Sequence, residues 1–128
     1  MFIEPINTSK DSLELVGGKG RSLARMTNAG FDVPGGFLVT ADTYRAFIAE
    51  NNLQSQILES ASPELRDGYP VFDACAEKIR ALIMSRSIGD AMSADIKAAY
   101  SKLHQEPISV AVRSSANAED LPDFSFAG

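Results

Sequence analysis

Val16-Gly17-Gly18-Lys19-Gly20-Arg21-Ser22-Leu23 is the stretch on which the reading of this chain turns. Glycines in succession make a turn, and the residues after them favour a helix. From Ser22 to Asn28 the side chains are helix formers, Leu23 and Met26 lie one turn apart, and Gly30 stands where a left-handed cap is wanted. A helix is therefore predicted over residues 19–29. Its first turn would leave backbone N–H groups pointing outward, beside Lys19 and Arg21.

Working outward, Phe2 and Ile3 can begin a short strand, and Val33-Pro34-Gly35-Gly36 ends the first helical segment before a buried strand at Phe37-Leu38-Val39. Thr40 suits the N-cap of a second helix with a stripe at Tyr44, Phe47 and Ile48. Residues 51–71 are polar and hold Pro63 and Pro70, with a short helix expected at residues 53–58. Phe72, Ala76, Ile79, Leu82 and Ile83 repeat at helical spacing. Ser93 would cap a further helix bearing Ile96, Ala99, Tyr100 and Leu103, stopped by Pro107. Ile108-Ser109-Val110-Ala111-Val112 reads as an interior strand, for which the chain supplies few neighbours. The fold class is α+β, several helices with a few short strands, or a piece of a larger α/β sheet.

With 128 residues the chain is about one domain long, and one core is the default expectation. A net charge of −5 argues against a nucleic-acid surface, which needs excess Lys and Arg. One segment reverses the sign: no acid lies between Glu14 and Asp32, where Lys19, Arg21 and Arg25 are basic. That pattern suits a small anionic ligand. Cys75 is the single cysteine, so no internal disulfide forms; its apolar, helical setting reads as a core thiol. No apolar h-region follows Met1 and no run approaches a membrane span, so a cytoplasmic location is expected.

The glycine stretch is neither a Walker A loop nor Gly-x-Gly-x-x-Gly. Lys19 and Arg21 would be repelled by the positive end of the helix dipole, and a bound phosphate would reverse that. From residue types alone, a solvated surface lysine on a tolerated turn is the more frequent outcome. Arg113 would close the strand at 108–112, and with Ser114 and Ser115 after it could grip an oxyanion bidentately. An ion pair from Arg113 to Glu119 or Asp120 competes on equal terms. Those two carboxylates read as a solvated loop rather than a magnesium site. His104, the single histidine, reads as structural or surface, so triad and zinc chemistry are excluded by count.

Taken together, Val16-Gly17-Gly18-Lys19-Gly20, Ser22-Leu23, Gly30, Val33-Pro34-Gly35-Gly36-Phe37 and Thr40-Ala41 resemble the opening of phosphoenolpyruvate synthases and pyruvate phosphate dikinases. The stretch from Val112-Arg113-Ser114-Ser115 through Glu119-Asp120-Leu121-Pro122 to Ser125-Phe126-Ala127-Gly128 looks like the next signature of that family, in its synthase-like form. Rifampin phosphotransferases are similar over the same region. The resemblance covers nearly the whole chain in order.

It implies that residues 1–128 are a single fragment, the N-terminal part of an ATP-grasp nucleotide-binding domain cut short at its C-terminal end. It implies that Lys19 and Arg113 contact the ATP phosphates, with Ser114 beside them. The loop ending in Ser125-Phe126-Ala127-Gly128 would close over the triphosphate. Magnesium ligands, the phosphohistidine domain and the acceptor domain are expected outside these residues, so the fragment alone should not turn over.

The implied function is the ATP-binding part of a phosphotransferase that moves phosphate from ATP through a phosphohistidine to a small acceptor, pyruvate first. Room is left for a homo-oligomer in the full-length enzyme, with neither nucleic acid nor membrane as partner. A rifampin-type acceptor and a stand-alone, non-catalytic nucleotide-binding module are the competing readings. The polar loop after Ser114 is expected to be mobile without nucleotide.

Overall fold

The glycine stretch lies inside the first helix rather than ahead of it. In the computed structural model, which describes residues 2–7 and 12–117, α1 runs Leu13–Asn28 and is broken at Gly17, where φ is 68° and ψ 179°. The predicted helix at residues 19–29 is thus the longer part of α1. A first turn, missed from the sequence, precedes it: Leu15 and Val16 both donate their N–H to the Ser12 carbonyl. The far end closes as expected. Phe31 N–H reaches Met26 O at 3.1 Å and Gly30 N–H reaches Thr27 O at 3.0 Å, the paired bonds of a Schellman cap.

Contacts divide the chain into two units, Met1–Tyr44 with Asp90–Gly128, and Arg45–Gly89. In the first, β1 (Ile3–Pro5) pairs antiparallel with β2 (Phe37–Val39), Glu4 opposite Leu38. Val16, Gly20 and Ala24 are buried at i, i+4 and i+8 on one face of α1. Small residues there allow a close approach, since a side chain at Gly20 would already lie 3.4 Å from Leu38 Cδ2. The ribbon also packs on α5 (Asp90–Ser101), where Met92 is buried.

The Phe2 carbonyl gathers three donors: Thr40 N–H at 3.0 Å, the Thr40 hydroxyl at 3.2 Å and the Thr43 hydroxyl at 2.6 Å. Thr40 and Thr43 are both buried, so these bonds satisfy polar groups that water does not reach. They anchor the start of α2 (Ala41–Glu50) to β1.

In the second unit α2 ends at Glu50 and is closed by Asn52, φ 52°, with Leu53 N–H on Ile48 O. Ile48 and Leu53 are its buried apolar residues, Leu53 wholly enclosed. The short helix expected at residues 53–58 is α3 (Gln54–Ser60), and α4 (Asp73–Met84) packs against it. Between them stands a hairpin that the sequence reading passed over, β3 (Glu64–Arg66) and β4 (Tyr69–Val71) around Asp67-Gly68.

Several expectations are corrected. Residues 108–112 pair with no strand among the described residues, and Val112 is 94% exposed; both ribbons are two-stranded and neither reaches this segment. Tyr100 holds its start instead, the hydroxyl accepting from Ile108 N–H at 2.9 Å and donating to Ile108 O at 2.6 Å. The last helix begins at Asp90, which places Ser93 in its first turn rather than at the cap. It ends at Ser101, well before Pro107, because the chain already turns at Lys102 and Leu103. Cys75 is half-exposed rather than in the core, since no residue of α4 is buried; its thiol donates to Phe72 O.

Candidate functional site

The two signatures, nearly a hundred residues apart, meet. The Ser115 hydroxyl donates to Val16 O at 2.8 Å and accepts from Gly20 N–H at 3.1 Å. In an unbroken helix Gly20 N–H would donate directly to Val16 O. The serine oxygen is inserted into that bond, and α1 breaks at Gly17 to admit it. One residue on, Ala116 O accepts from Gly18 N–H at 3.0 Å.

Gly17 is required twice over. Its positive φ with ψ near 180° is a region that essentially only glycine occupies. A Cβ there would also collide with Ser115, 2.5 Å from its carbonyl oxygen and against its hydroxyl. The close approach of the two segments depends on the missing side chain.

These contacts revise one expectation. The N–H groups of Gly18 and Gly20 do not point outward for an anion, because the 115–116 segment takes them. What the turn presents instead is the Lys19 side chain, half-buried, on a backbone tied on either side. Arg113 and Ser114 are exposed, immediately before the anchoring Ser115. The structure therefore brings the segments of Lys19 and of Arg113-Ser114 together, although Arg113 does not close a paired strand.

Ser125 and Gly128 lie outside the described residues, as do Glu119 and Asp120, the proposed ion-pair partners of Arg113. The loop expected to be mobile begins with two residues that have backbone partners, and its part from residue 118 lies outside the described residues. Sequence reasoning grouped Ser115 with Ser114 as an anion-binding hydroxyl. Only the three-dimensional approach to Gly17 distinguishes the two serines.

A cleft of about 710 Å³ opens elsewhere, between the β1–β2 ribbon, the C-terminal end of α1 and α5; Asp95 and Lys102 are among its walls. The Val33-Pro34-Gly35-Gly36-Phe37 part of the first signature lines it, whereas Lys19, Arg113 and Ser114 do not. Among the described residues no three His, Cys, Asp or Glu side chains stand close enough to hold a metal ion. No helix among them is long and apolar enough to cross a membrane.

This is an α+β chain in which a glycine-broken helix is sewn to a Val-Arg-Ser-Ser segment. It belongs to the family of the pyruvate phosphate dikinase AMP/ATP-binding domain, which matches residues 13–128. A probable phosphoenolpyruvate synthase of Methanocaldococcus jannaschii is 43% identical over 94% of this chain and 10% of its own length. The phosphoenolpyruvate synthase of Neisseria meningitidis is 41% identical over 95% of the chain and 16% of its own. That of Pyrococcus furiosus is 37% identical over 94% and 19%. The chain thus spans between a tenth and a fifth of the length of these relatives, and corresponds to a phosphoenolpyruvate synthase-like ATP-binding part.

Proposed function

We propose that residues 1–128 bind the phosphates of ATP within a phosphotransferase that passes phosphate through a histidine to pyruvate, as in phosphoenolpyruvate synthases. The observation that carries this reading is the Ser115 junction, which brings the Lys19 turn and the Arg113-Ser114 segment together. Lys19 and Arg113 would neutralise phosphate oxygens, Ser114 would donate a hydroxyl, and the Ser125 to Gly128 end of the loop would cover the polyphosphate. Fixed cations of this kind act by offsetting charge on the transferring group. The reading places the molecule in the cytoplasm, with magnesium held by residues beyond this segment. His104 is exposed and bonded locally to Glu106, which fits a structural role rather than phosphate transfer.

The test is a chimera in which these residues replace the matching part of the Neisseria meningitidis enzyme. We expect it to consume ATP in a pyruvate-dependent manner, and Lys19→Ala or Arg113→Ala to lower that rate by about 100-fold or more. Rates within a few-fold of the parent chimera would reject the assignment. If the chimera does not fold, amide shifts of the 128-residue chain on titration with ATP give the second measurement; perturbation centred on Lys19 and Arg113 is expected. ATP consumption with an antibiotic but not with pyruvate, in the complete polypeptide carrying these residues, would favour the rifampin-type acceptor.

A further inference from the structure

We infer that Ser115 is a positioning residue whose hydroxyl sets the spacing of the Lys19 and Arg113 backbones, so that one polyphosphate chain meets both cations. The inference rests on the phosphate-binding reading above and deepens it.

Three observations converge on this side chain. Its oxygen is inserted into the Val16–Gly20 helical bond, as donor to one and acceptor from the other. The backbone beside it adds a parallel tie from Gly18 N–H to Ala116 O. Gly17 adopts a glycine-only conformation, and Ser115 fills the space where its side chain would stand. Lys19 lies between the two tied glycines, and Arg113 lies two residues before the tie. With the hydroxyl in place, the two cations hang from one hydrogen-bonded junction. Without it, the segment beginning at Arg113 loses two of its ties to the turn and keeps the Gly18–Ala116 bond.

Fixed spacing has a signature that plain stability lacks. Two held cations give a ligand that spans them an advantage of effective concentration, and a ligand too short to span them gains nothing. Removing Ser115 should therefore weaken a long polyphosphate and spare a short one.

The experiment titrates the 128-residue chain with inorganic tripolyphosphate and with orthophosphate, followed by amide chemical shifts. For Ser115→Ala we expect the tripolyphosphate-to-orthophosphate affinity ratio to fall about tenfold, while orthophosphate itself changes less than about twofold. An unchanged ratio overturns the inference. A measurement on the unsubstituted chain guards against a variant that fails to fold. The Gly18 and Gly20 amides should stay protected from solvent exchange at saturating tripolyphosphate. Loss of that protection would show the ligand displacing Ser115 rather than relying on it, and equally overturns the inference. Lys19→Ala and Arg113→Ala serve as the separate control: if neither weakens tripolyphosphate, the phosphate-binding reading itself falls, whatever Ser115 does.

Discussion

Two glycine turns in this molecule look alike in sequence and behave differently. At Gly17 in the first unit, φ is 68° and the space where a side chain would stand is filled by Ser115. At Gly68 in the second unit, φ is 83° and nothing lies within 4 Å of the same position. Asp67 and Gly68 both have positive φ in a two-residue loop between Arg66 and Tyr69, the geometry of a type I′ hairpin. That turn needs glycine for its backbone alone. The Gly17 turn needs it for its backbone and for what packs there, and only this second need connects to another part of the chain.

The contrast can be broken by substitution. Gly17→Ala should show the largest effect, a loss of about 2–5 kcal/mol in urea unfolding, summing a glycine-only backbone with overlap against the Ser115 main chain. A loss below about 1 kcal/mol would mean that the junction is loose. Gly68→Ala should cost about 1–2 kcal/mol by the same measurement, the price of a left-handed residue without a clash. Smallest of all, Glu64→Gln removes the partner of Arg66, 3.7 Å away with both side chains more than half exposed. Solvent screening limits that change to within about 0.5 kcal/mol. A ranking in which Gly68→Ala exceeds Gly17→Ala would reverse the lesson of the comparison.

Local signals were legible in the residues. The left-handed end of α1 at Gly30, the strand Phe37–Val39 and the short helix α3 followed from punctuation and periodicity. The strand is not buried as expected, however: Val39 is 52% exposed at the edge of a two-stranded ribbon. The hairpin at Asp67-Gly68 carried an equally local signal, and was missed because Pro63 and Pro70 made the stretch read as irregular. Pro70 is accommodated in a two-stranded ribbon, where one edge of each strand has no ladder to make.

Candidate-site legibility was partial for a different reason. Lys19 and Arg113 stood out by charge and by resemblance, but nothing in either segment announces that Ser115 enters the helix at Gly17. Such a contact joins residues with no shared periodicity. The strand expected at residues 108–112 failed similarly: β-branched residues report a preference, and the partner strand that would realise it is not among the described residues.

The Ser115 junction also has a consequence in time. Its hydrogen bonds span 95 and 99 positions, so a ribosome adding about 5–20 residues each second releases helix α1 roughly 5–20 seconds before its clasp exists. During that interval the Val16 carbonyl and the Gly20 amide are free to bond each other, closing the helix without a break. The break at Gly17 therefore gains its clasp only when the late-arriving serine is threaded between them.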